Sequence, residues 1–316
     1  MLLKLEYKAK NLLVIVGPTC VGKSTTALKC AIHFNGEIIN CDSMQIYKGF
    51  DIGTDKVTPE KRKNIPHHLI SIVDPSTQFT AADFVKFSLK AIESIRKKNR
   101  IPIITGGTGL YIKALLNGLF PEKHKSLSIR KQLEKEAEEF GLEKLRKELR
   151  KVDPEYFYKI GENDAIRIIR ALEVYRATKK PISEHFSNTR SYVGDFNVIK
   201  IGLIIDRKTL YKRIEARVDR MFEKGIVEEI QELLESGVKE NFPPFRAIGY
   251  KNVLEYLKNK ITLDQAISST KKATRHYAKR QITWFKKMEG IKWFSPYQYE
   301  SLKKYISNQL KKWKKQ

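Results

Sequence analysis

Residues 12–24 read LLVIVGPTCVGKS, and the predicted architecture of the chain starts from them. The run LLVIV is apolar and rich in β-branched side chains, which is typical of a buried parallel strand. Gly17 then begins the pattern GxxxxGK followed by Ser or Thr, and a helix is predicted from Lys23. A strand, a glycine-rich loop and a helix in this order indicate a phosphate-binding loop, or P-loop.

The residue types of this loop suit a diphosphate. Backbone N–H groups at a helix start, together with the positive end of the helix dipole, attract anions. Lys23 adds a positive charge, and the Ser24 hydroxyl is a ligand that Mg²⁺ accepts. The predicted phosphate-binding residues are Gly17, Pro18, Thr19, Cys20, Val21, Gly22, Lys23 and Ser24. The motif does not tell which molecule carries the phosphates.

Further apolar runs end in polar or glycine residues, as the first one does. They are GEIINCD (36–42), RIPIITGG (100–107), VIKIGLII (198–205) and IKWFS (291–295). Stretches with helical periodicity, such as residues 81–98, separate them. This alternation predicts an α/β protein with a doubly wound parallel sheet.

Residues 120–195 depart from this pattern, because they are charged, have helical periodicity and contain no strand-like run. They predict a helical subdomain inserted into a P-loop core made of residues 1–119 and 196–316. The final stretch, SLKKYISNQLKKWKKQ, predicts a basic helix that closes the chain.

The charge balance favours a polyanionic partner. The chain of 316 residues holds 61 Lys and Arg against 36 Asp and Glu, a formal net charge of +25. Nucleic acid and anionic membrane surfaces both attract such a protein, and many basic proteins merely expose solvated lysines. Charge alone therefore leaves the partner open.

Composition also bounds the class of protein. With 41% hydrophobic and 31% charged residues, the chain is neither membrane-spanning nor disordered. Lysines interrupt the N-terminal apolar stretch, so no signal peptide is predicted and a cytoplasmic location is expected. Cys20, Cys30 and Cys41 form no CxxC pair, which predicts reduced thiols and neither a disulfide framework nor a cysteine zinc site.

Two features after later strands are expected to face the P-loop, since the carboxyl ends of parallel strands line one crevice. Asp42 follows the strand that ends in IIN and is a candidate general base or holder of a metal-bound water; a turn or N-cap aspartate is the alternative. Gly106–Gly109 forms a second glycine-rich lip, or else a tight structural turn.

Two other features compete for metal or phosphate roles. Asp206 ends an apolar strand, as the magnesium-binding aspartate of NTPases does, but Arg207 follows where such motors often have a second acid. This makes ATP hydrolysis less attractive. The pair His67-His68 lacks a third ligand at suitable spacing, so a structural role is predicted.

Arg213, Arg217 and Arg220 share one helix face through spacings of four and three. If that face meets the crevice, an arginine neutralises a leaving diphosphate. The alternative is a surface helix in which Glu215 and Asp219 balance the arginines.

Residues 264–288 predict an amphipathic helix with three faces. Ile267, Ala278, Ile282 and Phe285 form a core stripe, Lys272, Arg275, Lys279 and Lys286 a basic stripe, and Arg280 and Trp284 a third face. The basic stripe suits phosphate contacts and an exposed Trp284 suits stacking on a base. The alternative is a solvated helix whose aromatic residues belong to the core.

Eight segments together resemble the tRNA dimethylallyltransferase family, also called tRNA isopentenyltransferases. They are GPTCVGKS (17–24), CDSMQIYKGFDIGTDK (41–56), PHHLISIVDP (66–75), TAADF (80–84), GGTGLY (106–111), NDAIRIIRALEV (163–174), FRAIGYK (245–251) and KRQITWF (279–285). The segments span nearly the whole chain in family order. Because the chain has no C-terminal zinc finger of the kind some eukaryotic relatives carry, the resemblance implies the bacterial type.

The resemblance implies transfer of a dimethylallyl group from dimethylallyl diphosphate to the exocyclic amine of an adenosine in the anticodon loop of tRNA, with Mg²⁺ as cofactor. Asp42 is then the general base, Thr19 and Ser24 belong to the donor and magnesium site, and Arg217 meets the diphosphate. A monomeric enzyme is expected.

The resemblance also implies the tRNA contacts. They are Asp42, Ser43, Met44, Gln45, Thr108, Arg130, Ile166, Arg167, Ile168, Ile169, Arg170, Arg246, Ala247, Ile248, Gly249, Tyr250, Lys251, Lys279, Arg280, Gln281, Trp284 and Lys286. Ile166 departs from the QRxxR-like pattern, which weakens a polar role there.

Three alternatives stay open. One is a nucleoside or nucleotide kinase, in which the P-loop holds ATP and Asp42 deprotonates a hydroxyl. Another is an RNA-binding P-loop protein without chemistry. A prenyltransferase acting on free adenylate is a close cousin, but the basic helical insertion favours tRNA.

Overall fold

A computed structural model describes residues 10–119, 126–187 and 189–312. Its sheet consists of β1 (Asn11–Val16), β2 (Gly36–Cys41), β3 (His67–His68), β4 (Ile101–Gly106), β5 (Asn197–Leu203) and β6 (Lys292–Phe294). The order across the sheet is β3-β2-β4-β1-β5-β6, and every neighbouring pair is parallel. The predicted doubly wound α/β architecture is therefore confirmed, including the last strand in IKWFS.

Helices follow or separate the strands. They are α1 (Lys23–Phe34), α2 (Ala81–Lys97), α3 (Gly109–Asn117), α4 (Leu127–Phe140), α5 (Leu142–Val152), α6 (Pro154–Phe157), α7 (Ala165–Thr178), α8 (Ile182–Ser187), α9 (Arg207–Glu223), α10 (Ile226–Glu235), α11 (Tyr250–Leu257), α12 (Leu263–Lys286) and α13 (Tyr299–Lys312). In the described part of the chain, none of these helices is long and apolar enough to cross a membrane.

The chain divides into two compact units, one holding Met1–Lys113 with Asp195–Gln316 and the other Ala114–Gly194. In the first unit, strand residues such as Leu13 and Ile103 pack with Phe34 of α1 and with Leu302 and Ile306 of α13. Each buried aliphatic side chain of this kind contributes about 1.5–3 kcal/mol of hydrophobic free energy. The closing basic helix is thus part of the sheet core; its last four residues lie outside the described part.

The second unit is helical. Leu133 of α4, Leu149 of α5 and Leu172 of α7 are buried in its core. Arg176 of α7 donates paired hydrogen bonds to Glu136 of α4 at 2.7 and 2.8 Å. Bidentate pairing of this type fixes the two helices in register.

The segment TAADF turns out to be a helix start. The Thr80 hydroxyl accepts the Asp83 N–H at 3.2 Å, and the Asp83 carboxylate accepts the Thr80 N–H at 2.9 Å. This reciprocal capping box satisfies two backbone donors at the beginning of α2. The segment therefore has a structural function.

Sequence periodicity did not predict β3. The strand has two residues, His67 and His68, which pair with Ile38 and Ile39 of β2. A strand this short has no alternation to detect, and its residue types are not apolar. Its placement comes from hydrogen bonding to the exposed edge of β2.

Candidate active site

The P-loop runs from the carboxyl end of β1 into α1. Gly17 approaches β5 so closely that a Cβ would lie 2.6 Å from the Leu203 carbonyl oxygen. Gly22 caps α1 with φ of 104°, in the left-handed region that favours glycine. Both glycines of the motif are thus required by the backbone path.

Lys23 extends back across the loop, where its Nζ donates to the Pro18 carbonyl at 2.7 Å. Burial lowers the pKa of Lys23 to about 8, and the nearby Asp42 carboxylate opposes this shift. Ser24, in the first turn of α1, exposes its side chain. The loop therefore presents a cation and a hydroxyl at a helix start.

Asp42 follows β2 and is half-buried. Its Oδ1 accepts the N–H groups of Met44 at 2.9 Å and Gln45 at 3.3 Å. Asp42 thus stabilises a turn, which was the alternative role predicted from the sequence. It also lines the cleft beside Lys23. One oxygen holds the turn and the other can accept a proton.

Of the three arginines predicted to share one face of α9, Arg217 reaches this cleft. It donates to the Thr19 hydroxyl at 2.8 Å and to the Thr54 carbonyl at 3.2 Å. Arg213 donates to the Tyr297 hydroxyl at 2.8 Å and to the P-loop carbonyls of Cys20 and Val21 at 3.4 Å. Arg220 is exposed and bonds its own helix. The shared helix face therefore brings two arginines to the P-loop, and of these Arg217 lines the cleft.

These groups line one cleft, which has about 90 Å³ of space accessible to water. Its lining residues are Lys23, Ser24, Ile38, Asn40, Asp42, Gln45, Thr54, Asp55, Val57, His67, Ile70, Thr105, Gly106, Gly107 and Arg217. Charged groups thus share one cleft with the apolar side chains Ile38, Val57 and Ile70. A ligand with an anionic head and a short apolar tail fits such a lining.

The second glycine-rich lip serves as a docking surface for α12. A Cβ at Gly107 would lie 2.1 Å from Nε2 of Gln281, and one at Gly109 would lie 2.3 Å from the Trp284 ring. Gln281 accepts the Thr19 N–H at 2.8 Å and donates to the Gly107 carbonyl at 2.9 Å. Glycine is needed here for close helix approach, since neither position has a left-handed φ.

The core stripe predicted for α12 was correct in part. Ala278 and Phe285 are fully buried, but Ile267 and Ile282 are only half-buried. Gln281, expected to contact tRNA, is 5% exposed. Trp284 is half-buried against Gly109, which lies between the exposed ring and the core aromatic that the sequence left open.

The basic stripe of α12 is only partly neutralised by α9. Arg275 pairs with Glu215 at 2.9 Å, and the adjacent Lys271 pairs with Asp219 at 2.6 Å. The carboxylates of Glu215 and Asp219 therefore neutralise basic side chains of α12 and not the arginines of their own helix. The side chains of Lys272, Lys279, Arg280 and Lys286 are exposed.

The other predicted tRNA contacts in the unit that contains the sheet differ in their exposure to solvent. Ser43 and Thr108 are half-buried, and the Thr108 hydroxyl accepts the Ser43 N–H at 3.1 Å. Arg246 and Lys251 are exposed, whereas Tyr250 is 0% exposed. Ala247 and Ile248 are half-buried, and Gly249 is buried.

In the helical unit, Ile166 is 72% exposed at the start of α7, and Arg167 beside it is also exposed. Ile168 and Ile169 lie in the unit's core, so their side chains face away from solvent. Arg170 bonds Glu173 at 2.9 Å. Arg130, half-buried on α4, pairs with Glu134 at 2.9 Å.

The competing metal candidates have structural roles. Asp206 caps α9, accepting the Thr209 N–H at 2.8 Å, and lies on the surface. His68 bonds the buried Glu37 at 2.7 Å, as the structural interpretation predicted. His67 was not expected in the site, yet it lines the cleft. Within the described residues, no group of three or more His, Cys, Asp or Glu is arranged to hold a metal.

Sequence reasoning missed several cleft residues. Asn40 and Thr105 belong to β2 and β4, and Thr54 and Asp55 to a loop without periodicity. Position along the strands identifies the first two, because each lies at or within two residues of the carboxyl end that faces the ligand. No local pattern identifies the loop residues.

The fold and the cleft together define a P-loop protein of the α/β class. A family model described as IPP transferase matches residues 45–288. The chain is 45% identical over 299 residues to a tRNA dimethylallyltransferase of Acetivibrio thermocellus, which covers 94% of this chain and 96% of the relative. The chain belongs to the IPP transferase family.

Solved structures agree. The tRNA isopentenylpyrophosphate transferase from Bacillus halodurans is 37% identical with a TM-score of 0.73, covering 97% of this chain and 98% of that one. A eukaryotic dimethylallyltransferase, described as acting on tRNA, is 36% identical with a TM-score of 0.74, over 89% of this chain and 71% of that chain.

Proposed function

We propose that this protein transfers the dimethylallyl group of dimethylallyl diphosphate to the exocyclic amine of the adenosine 3′ of the anticodon in tRNA, releasing diphosphate. The observation that carries the proposal is the single cleft in which Lys23 and Arg217 face Asp42. The names of its relatives state the same reaction class.

The cations serve the leaving group. The C–O bond of the allylic carbon breaks as the C–N bond to adenine forms, and negative charge accumulates on the departing diphosphate. Lys23 and Arg217 stabilise that charge, and the α1 N-terminus adds its dipole. Electrostatic stabilisation of this kind is usually the largest catalytic contribution.

Asp42 serves the nucleophile. An adenine amine is a weak nucleophile, and it must lose a proton as the new bond forms. The Asp42 carboxylate takes that proton while Oδ1 keeps the turn to Met44 and Gln45 in place. The adenine must leave its stack to reach the cleft, which is less costly in a loop than in a duplex.

The residues present fit Mg²⁺. This ion keeps several waters and takes one or two protein oxygens together with substrate phosphates, so it needs no all-protein cage. The exposed Ser24 hydroxyl supplies such an oxygen, and the buried Thr105 hydroxyl, which has no hydrogen-bond partner in the described residues, lines the same cleft. When bound, the ion neutralises diphosphate charge.

The exposed basic side chains of α12 are proposed to bind the phosphates of the anticodon stem-loop. Lys272, Lys279 and Lys286 lie on the helix whose Gln281 contacts the P-loop, so RNA bound there lies close to the cleft. The protein is proposed to act as a monomer. We propose a cytoplasmic location, because the tRNA substrate is found there.

Mass spectrometry of unmodified tRNA incubated with the protein, dimethylallyl diphosphate and Mg²⁺ tests the function. A gain of one dimethylallyl group on the adenosine 3′ of the anticodon is expected. Free AMP in place of tRNA is expected to give no product. Phosphoryl transfer from ATP to a nucleoside, without prenylation of tRNA, would overturn the proposal.

A further inference from the structure

The segment DIGTDK, residues 51–56, lies in one of the stretches that resemble the family. It forms a loop between β2 and β3. Thr54 and Asp55 of this loop line the cleft, and Thr54 is 8% exposed. Two backbone hydrogen bonds of 3.0 Å close the loop, from the Asp55 N–H to the Ile52 carbonyl and from the Lys56 N–H to the Asp51 carbonyl. The N–H groups of residues 51–53 need other acceptors.

Glu229 of α10 supplies that support. Its Oε2 accepts the N–H groups of Asp51 at 2.9 Å and Ile52 at 2.7 Å. Its Oε1 accepts the Tyr250 hydroxyl at 2.6 Å and lies 3.5 Å from the Gly53 N–H. Every group that faces this carboxylate is a donor.

Ionised Glu meets this arrangement, because it accepts through both oxygens and donates through neither. The NH2 group of Gln could donate to the Tyr250 hydroxyl, which also accepts, but it would then face the Gly53 N–H and replace an acceptor with a donor. Burial and the adjacent Glu229 charge raise the pKa of Tyr250, so its hydroxyl stays protonated and donates. Gly53 leaves room for that ring, because a Cβ there would lie 2.4 Å from Tyr250 Cε2.

The other side of the loop holds the proposed diphosphate ligand Arg217. The Thr54 carbonyl accepts Nη2 of Arg217 at 3.2 Å, and the Asp55 carboxylate lies 3.5 Å from its Nε. The same carbonyl accepts Nε2 of Gln45 at 3.0 Å. Arg217 has Nη1 on Thr19 of the P-loop, so the guanidinium bridges the two loops.

We propose that Glu229 is a positioning residue for the prenyl transfer. It holds the backbone of residues 51–53, and that loop aims the Arg217 guanidinium at the leaving diphosphate. The inference rests on the proposed function, because it assigns Glu229 a part in the same site. Glu229 itself lines no part of the cleft and acts through the loop that holds Arg217.

The test compares Glu229→Gln with Glu228→Gln, a matched change at an exposed neighbour on the same helix. Because misplacing a catalytic group by about 1 Å costs up to about 100-fold, Glu229→Gln is expected to lower kcat by about 10- to 100-fold. Inhibition by inorganic diphosphate should weaken in parallel. Glu228→Gln should keep wild-type values for both.

A double-variant experiment separates positioning from general stability. In an Arg217→Ala background, Glu229→Gln should change kcat by less than about twofold, since the group it positions is already gone. Multiplicative losses in the double variant would overturn the inference. So would a Glu229→Gln protein with the kcat and diphosphate inhibition of Glu228→Gln.

Tyr250→Phe gives the same test if Glu229→Gln does not fold, because it removes one of the donors and leaves the carboxylate. We expect a kcat loss of about 3- to 10-fold that again disappears in the Arg217→Ala background. A loss that persists there would overturn the inference. Wild-type protein that does not prenylate tRNA would overturn the proposed function itself, a different result from multiplicative losses of kcat in an active enzyme.

Discussion

At the scale of the residue, the burial of Lys23 changes the pH range over which its side chain is charged. Its Nζ bonds the Pro18 carbonyl, and burial lowers its pKa to about 8. A lowered pKa for a lysine means that the positive charge is present below about pH 8 and lost above it. The proposed binding of diphosphate needs that charge.

We therefore expect kcat/KM for dimethylallyl diphosphate to fall as the pH rises through about 8. The profile of kcat should fall only at higher pH, since bound diphosphate stabilises the ammonium form. Lys23→Arg is the control, because a guanidinium remains charged and should remove this limb even if activity is lower. A wild-type kcat/KM independent of pH from about 7 to about 10 would contradict the assignment.

Asp42→Asn tests the general base while keeping the turn. The amide oxygen can still accept the Met44 and Gln45 N–H groups, but it cannot take a proton from adenine. Single-turnover transfer should slow by about 100- to 10,000-fold, with the affinity for an anticodon stem-loop RNA unchanged. An unchanged rate would remove Asp42 as the base.

At the scale of the element, α12 joins two functions. Its exposed lysines face solvent, while buried Gln281 joins the P-loop to the second glycine lip through Thr19 and Gly107. Gly107 and Gly109 are needed in this lip, because the Gln281 and Trp284 side chains of α12 occupy the space that a Cβ would fill. The GGTG segment thus lines the cleft through Gly106 and Gly107 and is also a docking surface for α12.

Gln281→Met should keep the length of the side chain and lose both hydrogen bonds. Leaving the Gly107 carbonyl and the Thr19 N–H unpaired is expected to reduce the free energy of unfolding by about 1–3 kcal/mol. Denaturant unfolding measures it, with Thr283→Ala, an exposed change on the same helix, as control. Equal stabilities of the two variants would show that the clamp is not formed.

At the scale of the whole molecule, the charge of +25 sets how the protein meets RNA. Part of it is balanced locally, as in the pairs of α12 with Glu215 and Asp219. The exposed lysines of the same helix keep their charge available. Binding of RNA should therefore release counterions and weaken steeply with salt.

Lys279→Gln and Lys286→Gln should each reduce the slope of log affinity against log salt by about 0.7 to 0.9, because each removes one phosphate contact. Binding titrations of the stem-loop at several salt concentrations measure this. Lys304→Gln on α13 removes the same charge from an exposed position and should leave the slope unchanged. Equal slopes in all three variants would exclude α12 as the RNA-binding surface.

Sequence alone determined the parts of this protein whose physical causes are contiguous in the chain. The strand LLVIV, the P-loop and the start of α1 follow one another, and each apolar run that ends in a polar residue predicted a strand of the sheet. Strand β3 was not predicted, because two residues are too few to show a periodicity.

Only the tertiary structure decided which side chains meet across the cleft. Thr19 is 262 residues from Gln281, and Ile52 is 177 residues from Glu229. Separations of this size leave no periodic signal, since the partners are brought together by the sheet order and by helix packing. The resemblance to a family identified the segments, and the fold shows that some of them, such as TAADF and Gly107–Gly109, serve caps and close packing.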